Sequence, residues 1–517
     1  MSILTVSNVS CSFAQREILK NVSFRLLKGE HVGLVGANGE GKSTFLNIIT
    51  NKITPDEGKI SWCNHISVGY LDQHTILEKG KTIYDILKDA FLPLFDLEKE
   101  MMDKYEKMAE VTDDELNALM DDTAQIQEIL DHNGFYMIDT RIKEVASGLG
   151  LLDIGLEHDV SNLSGGQRSK VLLCKLLLEN PMILILDEPT NYLDENHIKW
   201  LTNFLQNYDN AFILVSHEIS FLNDVVNIIY HVENCELTRY AGNYDNFIKQ
   251  HEIKVRNQQL AYERQQKEIS NMQDFIARNK ARVATRNMAA SRQKKLDKMD
   301  LIEKPKEKAK PIFNFKTDVT LSKTVIECKD LVIGYDHPLC RPINLVVERN
   351  EKIAIKGVNG LGKTTLLRTL MQDLEPISGY VECDSKMKVG FFKQEDHSIT
   401  KTTLDAFWDH YPSYTNYECR SALAKCGLTT DHIESHVNVL SGGEQAKFRL
   451  ALIMNKPCNI LFLDEPTNHL DVDAKEELKK AIKEYKQNVI LVSHDPSFYE
   501  DIVDRIINIE EYTTKII

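Results

Sequence analysis

Nowhere in the 517 residues do two cysteines stand as a CxxC pair, although ten cysteines are scattered along the chain. That absence argues against a zinc-binding cysteine module or an iron-sulfur module. No secretory leader pattern is present either, so the thiols read as reduced core groups of a cytoplasmic protein. Long hydrophobic runs are also missing. The most apolar stretch, 171–186, is interrupted by Lys175, Glu179, Asn180 and Pro181, well short of the ~20 apolar residues a membrane helix needs. Overall positive charge is the third absence. A net charge of −15 excludes a uniformly basic nucleic-acid binder while leaving local basic patches open.

What the sequence does contain is a duplication. GLVGANGEGKSTFLNII (33–49) returns as AIKGVNGLGKTTLLRTL (354–370), LSGGQ (163–167) as LSGGE (440–444), ILILDEPTNYLD (183–194) as ILFLDEPTNHLD (460–471), and ILVSHE (213–218) as ILVSHD (490–495). The order is the same in both halves. Apolar β-rich runs alternate with amphipathic helical stretches, so each half reads as an α/β domain with buried strands. The expected boundaries are 1–245 and 324–517.

Two insertions break the symmetry. Gln73 to Leu163 spans 90 positions and Gln394 to Leu440 spans 46, so the first domain carries 44 extra residues. They read as an acid-rich helical pair, an arm at about 90–135 that is either a solvated excrescence or a docking element. Between the domains, 246–323 reads as a helical hairpin with helices at about 250–280 and 288–302. Residues 251–310 hold sixteen Lys or Arg against eight acids. A solvated spacer would account for the helices; the reversal of sign inside an acidic chain favours a polyanion, most plausibly RNA.

The repeated segments carry phosphate chemistry. Gly36, Ala37, Asn38, Gly39, Glu40, Gly41, Lys42 and Ser43, followed by Thr44, match GxxxxGK[ST]; so do Gly357, Val358, Asn359, Gly360, Leu361, Gly362, Lys363 and Thr364, followed by Thr365. Glycines let backbone N–H groups turn toward an anion, and the helix that follows adds its positive end. Lys42 and Lys363 are expected on the β- and γ-phosphates of ATP, with the Ser43 and Thr364 hydroxyls on Mg²⁺. Asp187 and Asp464 end apolar strands and are expected to hold the metal. Glu188 and Glu465 follow them and can orient the attacking water. His217 and His494 fit a γ-phosphate contact, Gln73 and Gln394 a water and metal contact, and Phe13 and Tyr335 an adenine stack.

With LSGGQ, LSGGE and the EPTNYLD and EPTNHLD boxes, the chain resembles the ATP-binding-cassette superfamily. Twin cassettes without membrane spans and YAGNYDNF (240–247) before a basic hairpin resemble its ABC-F group. The resemblance implies two ATPs sandwiched head to tail: Ser164, Gly165 and Gly166 complete the site on Lys363, and Ser441, Gly442 and Gly443 the site on Lys42. It further implies an ATP hydrolase acting as a monomeric clamp on the 70S ribosome near the exit site for transfer RNA, with no membrane subunit. Hydrolysis at Glu188 and Glu465 would then reopen the clamp.

The linker would contact RNA through Arg278, Lys280, Arg282, Arg286, Arg292, Lys294 and Lys295. The role would be in translation or in protection against ribosome-targeting antibiotics. The short hairpin tip argues against direct intrusion into a drug site. A transporter's ATP-hydrolysing subunit is the rival reading, which co-purification with membranes rather than ribosomes would reveal.

Overall fold

In a computed structural model, the described residues are 2–13, 16–64, 66–71, 80–108, 113–191, 193–279, 286–302, 304, 310–335, 337–358, 360–393 and 400–513. Gln73, Gln394, Asn359, Lys280 and Arg282 lie outside them, as does the side chain of Arg286. The chain divides into one compact unit of residues 1–239 and 310–517 and a second of residues 240–309.

The first unit holds both halves of the duplication. In the first half, strands run in the order Val68–Tyr70, Ile183–Asp187, Ala211–Val215, His31–Val35, Ile228–Glu233 and Glu236–Ala241. The first five are parallel. The second half repeats this with Val389–Phe392, Ile460–Asp464, Asn488–Val492, Lys352–Lys356 and Arg505–Asn508, all parallel. Parallel strands covered on both faces need unbroken apolar sequence. Ile183, Leu184, Ile185 and Leu186 are accordingly all buried, like Ile460, Leu461, Phe462 and Leu463. Each half adds a three-stranded antiparallel sheet, ordered Arg16–Leu27, Ser2–Phe13, Glu57–Trp62 in one and Ile343–Glu348, Thr324–Val332, Ser378–Cys383 in the other.

The strand order brings the ends of Ile183–Asp187, Ala211–Val215 and His31–Val35 side by side. Loops leaving the carboxyl ends of adjacent parallel strands are where such sheets bind ligands. That places Asp187, His217 and the glycine loop after Val35 together.

The insertion in the first half forms the helices Leu92–Lys107 and Asp113–His132. Met101, Ile126 and Leu130 are buried, and Lys104 Nζ lies 3.0 Å from both Glu100 and Asp122.

Residues 240–309 contain the helices Tyr244–Asn279 and Arg286–Asp297. The first starts six residues before the expected position because Asn243 Oδ1 accepts the Asn246 N–H at 3.2 Å, a side-chain cap. Phe247 then packs on Tyr240, with ring centroids 5.0 Å apart. The second ends earlier than expected. Gln265 donates to Asp300 O at 2.7 Å and accepts from Ile302 N at 2.8 Å, which satisfies that backbone without a further helical turn.

Residues 310–323, assigned to the linker on sequence, run along the second cassette. Ile312 N donates to Lys425 O at 2.7 Å and Lys316 N to Met454 O at 3.3 Å. Phe313 and Phe315 are buried in its core. Alternating apolar residues that bury against an existing core outweigh the local charge of this segment.

Candidate active site

The loop between His31–Val35 and the helix Lys42–Ile49 turns through Gly36, Gly39 and Gly41, with φ of 155°, 77° and 98°. A methyl group on Gly36 would lie 2.5 Å from Val232 O, and one on Gly41 2.6 Å from Ile18 Cγ2. Only glycine fits there. Gly357, Gly360 and Gly362 repeat the turn at 146°, 82° and 89° before the helix Lys363–Leu370.

Both lysines fold back over their loops. Lys42 Nζ donates to Gly36 O at 2.7 Å and Ala37 O at 3.1 Å; Lys363 Nζ donates to Gly357 O at 2.6 Å and Val358 O at 3.3 Å. Each ammonium is held at the mouth of an amide-lined cradle, an arrangement that can take a phosphate. Burial lowers both lysine pKa values, Lys363 to about 8, against the pull of the neighbouring carboxylates.

Beside each lysine stands a hydroxyl-carboxylate pair. Ser43 Oγ lies 3.4 Å from Asp187 Oδ2, and Thr364 Oγ1 donates to Asp464 Oδ2 at 2.7 Å. Glu188 and Glu465, next in the chain, have left-handed φ of 50° and 48°. Such conformations are strained for residues with a Cβ and persist where a side chain must be aimed. Burial, with the adjoining aspartates, raises both glutamic acids to about 8. Glu188 Oε1, Glu465 Oε1 and Asp464 Oδ1 are buried without a hydrogen-bond partner. Hard oxygen donors left unsatisfied beside a hydroxyl fit Mg²⁺ with its waters.

The two histidines occupy matching places with different partners. His217 Nε2 meets Asn38 Oδ1 at 3.0 Å, so that nitrogen carries the proton and donates. His494 Nε2 lies 2.6 Å from Lys363 Nζ and accepts from the ammonium. Burial and the nearby lysine hold His217 down to about 3 and His494 to about 4, so both imidazoles are neutral. Glu188 Oε1 lies 3.5 Å from His217 Nε2 and Glu465 Oε1 lies 3.2 Å from His494 Nε2.

The site on Lys42 is completed by the other half of the chain. Ser441 caps the helix Gly442–Asn455 through a reciprocal pair with Glu444, and Ser164 caps Gly165–Glu179 through Gln167. Ser441, Gly442, Gly443 and His469 line one cavity of about 360 Å³ with Asn38, Gly39, Gly41, Lys42, Ser43, Thr44, Asp187, Glu188, Asn191 and His217. Asn38 Nδ2 donates to His469 O at 2.9 Å across the halves. In the opposite sense, the Asp194 carboxylate acts on Lys363 and His494, as Asp471 does on Lys42 and His217.

Phe13 and Tyr335 are 49% and 59% exposed, and neither lines that cavity. In the hairpin, Arg292 stacks on Phe275 at 3.6 Å, Lys295 pairs with Glu268 at 2.9 Å, and Arg278 and Lys294 are exposed. The sequence reading missed His469 and Asn191, which line the cavity. His469 and Asn191 lie inside the quoted EPTN boxes, which was the available signal.

Two parallel-sheet domains, each with a phosphate loop, and a signature helix of one facing the loop of the other define a tandem ATP-binding-cassette ATPase. The ABC transporter family model matches residues 19–191 and 340–468, and a second model of that description matches 230–315. The chain is 60% identical to the ABC transporter ATP-binding protein YfmM of Bacillus subtilis (strain 168) over 100% of both chains. It is 34% identical to ABC transporter F family member 2 of Arabidopsis thaliana, over 98% of this chain and 76% of that one. The chain belongs to the ABC transporter F family, and it hydrolyses ATP. In fold it is similar to the archaeal ribosome recycling factor aABCE1, solved with the stalk protein aP1, at TM-score 0.58 and 20% identity over 97% of this chain and 87% of that one. No helix among the described residues is long and apolar enough to cross a membrane.

Proposed function

We propose that the chain is an ATP-driven clamp that binds the ribosome when its cassettes are closed on two ATPs and leaves when they are hydrolysed. Its domains are the cassettes at 1–245 and 324–517, with 246–323 as the RNA-directed linker, whose last residues, 310–323, pack along the second cassette. At each site the glycine loop and Lys42 or Lys363 hold the β- and γ-phosphates. Ser43 with Asp187, and Thr364 with Asp464, would hold Mg²⁺, which neutralises charge on the transferring phosphoryl group when bound. Glu188 and Glu465 orient the attacking water. Neutral His217 and His494 contact the γ-phosphate, and Ser441–Gly443 and Ser164–Gly166 close over it from the partner cassette. The combination makes hydrolysis conditional on closure, because neither cassette alone contains a whole site.

The observation that carries the ribosome reading is the reversal of charge, with sixteen cations and eight acids at 251–310 in a chain of net −15. Counterion release from RNA phosphates would supply the affinity. Fold likeness to a recycling factor adds only that such a frame supports ribosome work in another protein. Within this reading the hairpin acts near transfer RNA, as a translation factor or as protection against antibiotics.

The test is sedimentation of the Glu188→Gln, Glu465→Gln chain with 70S ribosomes through a sucrose cushion. ATP-dependent pelleting, lost when Arg292, Lys294 and Lys295 are all changed to Glu, supports the clamp. Nucleotide-bound protein that stays in the supernatant refutes it.

A further inference from the structure

The two sites have different neighbours from across the cassette boundary. Lys475, on the helix Val472–Glu484, donates from Nζ to His217 O at 3.3 Å. It therefore stands on the segment that carries the γ-phosphate-facing histidine of the Lys42 site. Lys475 lies four residues after Asp471. The residue four after Asp194, on the helix Glu195–Gln206, is Ile198, so the Lys363 site has no cation at the equivalent place.

We propose that Lys475 is a positioning residue that the second cassette supplies in trans to the Lys42 site alone, so that the two ATP sites are chemically non-equivalent. Its ammonium anchors the His217 backbone and so fixes the segment that sets the imidazole beside Glu188. Because Lys475 rides on the helix that Asp471 caps, through Ala474 N at 2.9 Å, it arrives only when the cassettes meet. Turnover at the Lys42 site is thereby tied to closure by a hydrogen bond that Ile198 cannot make at the other site. The inference rests on Glu188 being the hydrolytic carboxylate.

The test uses the full chain in two single-site backgrounds: Glu465→Gln, in which the Lys42 site turns over, and Glu188→Gln, in which the Lys363 site does. Lys475→Met is expected to lower kcat in the first background at least about fivefold more than in the second, with KM little changed and Lys475→Arg restoring the rate.

Ile198→Lys, which does not depend on the stability of the Lys475→Met chain, should raise kcat in the second background and leave the first unchanged. Equal losses in both backgrounds, or a Lys475→Arg chain that stays slow, would overturn the proposal. If the Glu188→Gln, Glu465→Gln chain still hydrolyses ATP, the carboxylate assignment fails and the proposal falls with it.

Discussion

The side-chain amide of Asn38 bridges the two cassettes: its oxygen meets His217 Nε2 at 3.0 Å in its own cassette, and its nitrogen donates to His469 O at 2.9 Å in the other. His469 holds this carbonyl with a left-handed φ of 63°. One residue of the phosphate loop thus touches both His217 and the box that leads, in the second cassette, from Glu465 to Asp471.

Removing that bridge should uncouple closure from hydrolysis. Asn38→Ala forfeits two hydrogen bonds, each worth about 1 kcal/mol, so kcat should fall roughly tenfold or more while ATP affinity changes little. Steady-state turnover with a nucleotide-binding titration separates the two effects.

Crowding at the same contact gives a sharper test. A Cβ on Gly443 would lie 2.2 Å from Asn38 Nδ2 and 2.5 Å from His469 O. Gly443→Ala should therefore push the cassettes apart, and a displacement of about 1 Å can cost on the order of a hundredfold in rate. Binding to the phosphate loops should survive, as read by a fluorescent ATP analogue.

The buried carboxyls make a prediction about pH. Burial raises Glu188 and Glu465 to about 8, above the usual range for unfolded glutamate. The folded state then binds more protons than the unfolded one, and their stabilisation is lost as pH rises toward 8. His217 and His494, lowered to about 3 and 4, act oppositely, adding stability as pH rises toward the ordinary histidine value of about 6.5. Between about pH 6.5 and 8 the carboxyl effect dominates, because Lys363, lowered to about 8, gives up its proton mainly above that window. Tm should fall across that window, and the Glu188→Gln, Glu465→Gln chain should lose that dependence.

Stability should also depend on the pair Lys447–Asp471, 2.9 Å apart with both side chains nearly buried. Lys447→Met leaves Asp471 buried without its cation, which typically costs about 3–5 kcal/mol. Chemical denaturation should show the loss. In the first cassette Asp194 lies 2.7 Å from His197 Nδ1, and Lys170, the counterpart of Lys447, also acts on it by charge.

The parts legible in the sequence are those encoded within one cassette. Gly36 to Ser43 reads as a phosphate loop because the backbone needs its glycines, and Asp187 is placed by the apolar run that precedes it. Contacts across the cassettes are a different matter. Lys475 looks like one more solvated helical lysine until docking sets it against His217, and nothing in either half alone specifies that meeting. The strand-like alternation of Phe313, Phe315 and Leu321 was visible but was outweighed by the charge of the linker around it. The early start at Tyr244 was signalled by Asn243, a good cap standing before YDNF.

If two whole sites form only between the cassettes, and Glu188 and Glu465 are needed to empty them, the nucleotide retained after gel filtration by the Glu188→Gln, Glu465→Gln chain loaded with Mg²⁺ and radiolabelled ATP decides the matter. Close to two ATP per chain, still triphosphate, are expected, with retention lost when Ser164 and Ser441 are changed to Arg. Retention of ADP, or of ATP that is indifferent to both serine changes, would contradict it.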